Sequence, residues 1–175
     1  MDTLSHGLWG AALFGKEKPF NSKYTKKKFW FAFLLGAGPD LISFSPSFIY
    51  WALSGFPTYQ RKIGEPPPLS IIPSYVFQLY NITHSLIIWT ALFLLFWVVL
   101  KKPLWIFCAW ALHIVYDIPT HTTRYFPTPF LWPFPTPFVN GFRWATPLFL
   151  LSNYFLLISF FVFLKIKNRK KPKRD

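Results

Sequence analysis

The residues able to do acid–base or metal chemistry are few and unusually placed. The chain has four histidines (His6, His84, His113, His121) and four aspartates (Asp2, Asp40, Asp117, Asp175). All but Asp2 and Asp175 fall in, or at the edge of, apolar segments. Inside a bilayer an unpaired Asp costs about 2.5–3.5 kcal/mol, so Asp40 and Asp117 must pair, line water or bind a cation. His113 and Asp117 stand four residues apart, on one face of a helix, and can address one ion. Pro119 is expected to end that helix, with His121 reaching the site from the turn. Neutral imidazole with carboxylate suits zinc, manganese or iron, and the single cysteine, Cys108, leaves no thiolate cage and no disulfide framework. Taken alone, the spacing reads more plainly as a His–Asp hydrogen bond satisfying two buried groups.

The elements that must position these residues are those of a membrane protein. Apolar residues make up 53% of the 175, aromatics 22% and charged residues only 14%, against about 25% charged in a soluble domain. From Pro66 to Leu100 there is no Asp, Glu, Lys or Arg, a stretch well beyond the ~18–20 residues that span a bilayer. The net charge of +13 comes from short patches: seven of the 19 basic residues follow the apolar run 147–164, and six lie between Lys16 and Lys28 before another. Basic residues abutting hydrophobic spans set membrane orientation and attract anionic headgroups, so nucleic acid is set aside as a partner. An acid at position 2, no basic leader and His6 within the apolar stretch do not match a cleaved signal peptide.

The expected fold is all-α: about four membrane segments plus a short N-terminal helix, in one domain over 1–164 with a basic tail over 165–175. Thr3 to Phe14 is the short helix, capped by Asp2 or Thr3. The first long segment runs from Phe29 to about Leu53, with a break expected at Pro39-Asp40. The next, Ser74 to Leu100, has room for a span from Thr83 onward, with His84 in its first turn. Leu104 to Ile118 and Leu148 to Leu164 complete the set. Between Pro119 and Pro147 the chain is proline-rich, and FPTPF occurs at 126–130 and again at 134–138. That predicts an extended segment whose rings lie at the membrane interface or cover the site.

Strongly basic connections (16–28, 101–102, the tail) alternate with weakly basic ones (Arg61/Lys62, Arg124/Arg143). This places the C-terminus in the cytoplasm and loops 54–73 and 119–146 outside. At ~1.5 Å per residue from the cytoplasmic end of each span, Asp40 lies about 17 Å deep, His84 24 Å, His113 14 Å and Asp117 20 Å. With His6 and His121 entering from the outer side, six ionisable groups can meet in the outer half of the membrane.

At these residues the chain resembles a known family. Met1-Asp2-x-Leu-Ser-His6-Gly7, Pro39-Asp40-Leu41, Ile82-Thr83-His84-Ser85, His113-x3-Asp117 and Leu131-Trp132-Pro133-Phe134 follow in order over most of 1–150. They are similar to the motifs of the YdjM-like family of inner-membrane metal-dependent hydrolases, once described as LexA-binding. The resemblance implies a helical inner (plasma) membrane protein with a His/Asp metal centre. Two departures stand out: the family's second acid after the PD aspartate is Ile42 here, and its His-Arg-Gly is Leu79-Tyr80-Asn81. Arg124 is then the candidate anion contact.

The sequence therefore predicts a multi-pass membrane hydrolase acting on an ester or phosphodiester in a lipid or lipid-linked molecule. His6, His84, His113 and Asp117, with Asp40 and His121 as further ligands, would hold one or two divalent ions, zinc or manganese. Asp40 or Asp117, whichever is not a ligand, would orient water or take its proton. Serine chemistry has no support, since no Gly-x-Ser-x-Gly elbow is present. The competing expectation is a transporter that uses the same His/Asp set for a transition metal or protons.

Overall fold

A computed structural model of the chain describes residues 1–16, 25–59, 66–135 and 137–169. Lys18, Lys23, Arg61, Lys62 and the tail from 170 onward, which enter the charge-based topology, lie outside the described residues. Within them the chain is all-helical: α1 (Thr3–Phe14), α2 (Lys26–Ser54), α3 (Ser74–Thr83), α4 (Leu86–Leu100), α5 (Cys108–Thr120) and α6 (Pro147–Arg169). Short 3-10 turns at Leu69–Ile71 and Trp105–Phe107 lead into α3 and α5.

Among the described residues, two helices are long and apolar enough to cross a membrane, Lys26–Ser54 and Pro147–Lys167. The α3–α4 pair, bent by 55°, makes a third if it is one broken span. The expected count of about four is therefore not reached. The shortfall is α5, whose 13 residues reach only ~20 Å at 1.5 Å each, short of the ~30 Å hydrocarbon core. Side chains of α4 and α6 such as Leu95, Val98, Leu151 and Phe155 are exposed, an apolar surface that suits lipid.

The expected break at Pro39-Asp40 is absent, because α2 runs unbroken through both Pro39 and Pro46. A proline removes one ladder hydrogen bond, and close packing of this stretch against α1 and α5 outweighs that loss. The break in the bundle falls instead at His84. Its backbone caps the end of α3, and the Ser85 hydroxyl accepts from the Ile88 N–H (3.1 Å) to start α4.

α1 begins where Asp2 accepts from the Ser5 N–H (2.9 Å). It then lies against α2 along a seam of small residues, Gly7, Gly10, Ala32 and Gly36. The seam is tight: a Cβ at Gly36 would stand 2.6 Å from the His6 carbonyl oxygen. Polar contacts tie α6 to the same helix. Trp9 Nε1 donates to Asn153 Oδ1 (3.0 Å), and Asn153 Nδ2 donates to Ser5 Oγ (2.8 Å). α1 is thus enclosed by α2, α5 and α6.

The two FPTPF copies part company. Phe126 of the first is buried with Val76 and Tyr80, packed against Phe44 and Phe77. Phe134 and Phe138 of the second are exposed. The loop between them also seals the start of α4, where Leu86 N–H donates to the Phe130 carbonyl (2.9 Å) and Ser85 Oγ to the Trp132 carbonyl (2.5 Å).

Candidate metal centre

Asp40 from α2, His84 from the α3–α4 break, and His113 and Asp117 from α5 are all buried and converge. Each offers one ligand atom, and these four atoms all lie within 4.8 Å of one another. The backbone decides how the imidazoles face. His113 Nδ1 lies 2.6 Å from the Gly36 carbonyl and His84 Nδ1 3.1 Å from the Tyr80 carbonyl. A carbonyl only accepts, so His113 Nδ1 carries a proton; His84 Nδ1 also meets the Thr83 hydroxyl at 2.9 Å, and with its own proton on the Tyr80 carbonyl it leaves Nε2 free, like that of His113, to offer a lone pair inward. Those two Nε2 atoms are 3.1 Å apart. Lone pairs so placed repel unless a cation or proton sits among them.

The remaining edges match. His84 Nε2 is 3.6 Å from Asp40 Oδ1 and 3.5 Å from Asp117 Oδ2. His113 Nε2 is 3.5 Å and 3.2 Å from the same two oxygens. Four ligands at 2.0–2.1 Å from a tetrahedral ion stand about 3.3 Å from one another. Asp117 Oδ2 is buried and has no hydrogen-bond partner, which a cation would supply. The donor set, its burial and its spacing therefore fit a divalent ion.

His6 and His121 address the other oxygen of Asp117. His6 Nε2 is 2.8 Å from Asp117 Oδ1, and its ring stacks on His113 with centroids 3.6 Å apart. His121 Nε2 is 3.5 Å from the same oxygen, while its Nδ1 is held by the Phe126 carbonyl at 2.7 Å. The Met1 nitrogen also meets Asp117 Oδ1 and lies 3.3 Å from His121 Nε2. Burial lowers the pKa of His121, past the end of α5, and the Asp117 carboxylate opposes this without reversing it. The other five residues named from the sequence thus gather around Asp117: Asp40, His84 and His113 on one side and His6 and His121 on the other. Arg124 does not join them. It is exposed and lines a cavity at whose edge His121 also stands.

Several positioning residues escaped the sequence reading. Thr3 Oγ1 donates to Asp40 Oδ2 (2.7 Å), which leaves Oδ1 for the centre. Tyr80 stacks on His84 (3.7 Å) and donates its hydroxyl to the Phe126 carbonyl (3.1 Å). That carbonyl is aimed by a left-handed backbone at Phe126, φ 48°, a conformation that a bulky residue adopts only when its surroundings enforce it. Tyr80 and Gly36 carried one usable signal, a place one helical turn from His84 and Asp40. No family model, curated protein or solved structure matches the chain, so the functional reading rests on the geometry of this centre and the motif resemblance.

Proposed function

We propose that the protein is a multi-pass membrane hydrolase dependent on a divalent ion, zinc or manganese, cleaving an ester or phosphodiester in a lipid or lipid-linked molecule. The observation that carries this is the pair of Nε2 atoms of His84 and His113, 3.1 Å apart, set between Asp40 and Asp117. One ion belongs to this set; on the other side of Asp117, Oδ1 meets His6, His121 and the Met1 ammonium, which stands where a second ion would have to enter. A divalent ion supplies Lewis acidity and makes hydroxide available from water at neutral pH. The chain's own residues do the rest. Thr3 holds Asp40 at its outer oxygen, leaving the inner one to ligate or to accept a proton from water. The planar fork of Arg124 suits a phosphate or carboxylate beside the centre. The resemblance to the YdjM-like family points the same way.

Charge alternation places loops 54–73 and 119–146 on the outer side. In support, Pro66–Leu69 and residues of the second loop wall one cavity, so the two loops lie at the same end of the bundle. Reporter fusions at Asp175 and near Thr136 are expected to show opposite sidedness, with Asp175 cytoplasmic. Matching sidedness would remove the outward-facing site.

Enzyme and transporter separate on Arg124. The Arg124→Lys protein is expected to keep its metal and lose at least ~90% of its turnover of an anionic lipid, because Lys cannot form the bidentate fork. Full activity of that variant on a lipid panel would end the substrate-contact role. Metal uptake into proteoliposomes, with no hydrolysis by the wild type, would replace the enzyme with a transporter.

A further inference from the structure

Ser43 lies one turn beyond Asp40 on α2, fully buried, and is not one of the four cluster residues. Its hydroxyl makes two contacts. It donates to the Pro39 carbonyl (2.8 Å), and it lies 2.8 Å from the Thr83 hydroxyl at the end of α3. Thr83 is held in turn from α5, where Trp110 Nε1 donates to its carbonyl (2.8 Å). The Thr83 hydroxyl is also 2.9 Å from His84 Nδ1. Three helices thus bring a chain of two hydroxyls from Pro39 to the outer nitrogen of a candidate ligand.

Proton counting gives that chain a direction. A hydroxyl has one hydrogen and two lone pairs, and a carbonyl has no hydrogen to give. The Ser43 hydrogen is spent on the Pro39 carbonyl, the back-bond that serine makes within helices. The 2.8 Å contact with Thr83 therefore uses the hydrogen of Thr83. Thr83 then has none left for His84, and at 2.9 Å its oxygen can only accept from Nδ1–H. The Tyr80 carbonyl, 3.1 Å from the same nitrogen, also only accepts. An opposing pull exists, because the Asp40 and Asp117 oxygens, 3.6 Å and 3.5 Å from Nε2, attract the proton to that side. The chain ends on a carbonyl, which passes no proton on, so it orients and does not conduct.

We propose that Ser43 is a positioning residue of the metal centre: through Thr83 it fixes the tautomer of His84, so that Nε2 meets the ion with a lone pair. The proposal rests on the metal-dependent reading above. It makes Thr83 harmful once Ser43 is gone. Without that acceptor, the Thr83 hydrogen has the Tyr80 carbonyl at 3.4 Å or His84 Nδ1 at 2.9 Å. The shorter contact is the better hydrogen bond. A hydrogen given to Nδ1 moves the imidazole proton to Nε2, where it blocks the ion. With the Thr83 hydroxyl removed as well, the Tyr80 carbonyl is left facing Nδ1 and the metal-binding tautomer returns.

The test uses the full chain in detergent at neutral pH, as wild type, Ser43→Ala, Thr83→Val and the double variant. Zinc affinity is measured by competition with a chelator. The tautomer of His84 is read by nitrogen NMR of metal-free protein labelled at its four histidines, with His84→Gln to assign the signals. Ser43→Ala is expected to lose about tenfold in zinc affinity, the lower end of what an outer partner of a ligand contributes, and to show the His84 proton on Nε2. Thr83→Val and the double variant are expected to bind zinc as the wild type does, with the proton on Nδ1. A packing role alone cannot produce recovery on adding a second lesion. Unchanged zinc affinity in Ser43→Ala, or a double variant as weak as Ser43→Ala, overturns the positioning role and leaves the metal centre standing. A wild type that binds no zinc overturns the metal-dependent reading itself, and the role of Ser43 with it.

Discussion

Replacing His113 by alanine is expected to abolish binding of a metal ion at the Asp40–His84–His113–Asp117 cluster while leaving the protein helical. His113 Nε2 sits on three of the short edges of the centre, to His84, Asp40 and Asp117. Removing it takes one ligand outright and deprives the His6 ring of its stacking partner. Asp117→Ala should do the same and more, because both oxygens of that carboxylate face histidines. The loss in metal affinity should exceed the ~10–100-fold that removal of an outer partner of a ligand costs. Thr3→Val, which touches only the outer oxygen of Asp40, supplies that smaller effect for comparison. Elemental analysis of detergent-purified protein reads all three. Unchanged stoichiometry in both His113→Ala and Asp117→Ala would reduce the cluster to a set of buried hydrogen bonds.

The second large effect is expected from a residue with no chemistry of its own. In Gly36→Val the new Cβ arrives 2.6 Å from the His6 carbonyl oxygen and 3.3 Å from the Cα atoms of Gly7 and Gly10. These are backbone atoms of α1, so relief requires moving a whole helix. Overpacking of this kind costs roughly 1–3 kcal/mol. The Gly36 carbonyl also holds His113 Nδ1, so any shift of α1 against α2 disturbs the centre from two directions. Gly38→Ala, two residues on, meets only the Trp110 ring at 3.3 Å and should be mild. Thermal unfolding in detergent, followed with and without added zinc, compares the two variants. Equal stability of the two would dissociate the seam from the fold.

Local signals carried much of this. The ends of α1 and its Asp2 cap follow from a polar residue before an apolar run, and the shared helix face of His113 and Asp117 follows from their spacing alone. The meeting of Asp40 with His84 was legible for a different reason. Charged groups in an apolar chain have so few acceptable places that they must find one another. What stayed hidden is what depends on packing between distant segments. Pro39 reads as a break, yet α2 passes through it because α1 and α5 grip that stretch. The bend at His84 rests on Ser85 capping a helix whose start is sealed by Phe130 and Trp132, more than forty residues away. The two identical FPTPF copies have opposite fates, one in the core and one exposed, and no property of the pentapeptide distinguishes them.

The seam that joins α1 to α2 has a consequence for biogenesis. His6 and Asp117 are 111 positions apart in the chain yet share a hydrogen bond. During synthesis the first two helices leave the ribosome long before α5 exists. For that interval His6 and Asp40 lack their α5 partners; Thr3 of α1 already reaches the Asp40 carboxylate, and His84 follows with α3 and α4. The small-residue seam lets the two helices dock early and keep both groups away from acyl chains until α5 arrives with His113 and Asp117. Completion of the centre is then a late event, and an ion entering it would act as a clasp between the oldest and the newest parts of the bundle. Chains truncated after α4 should accordingly insert and yet remain open to quality-control proteolysis, whatever the supply of metal.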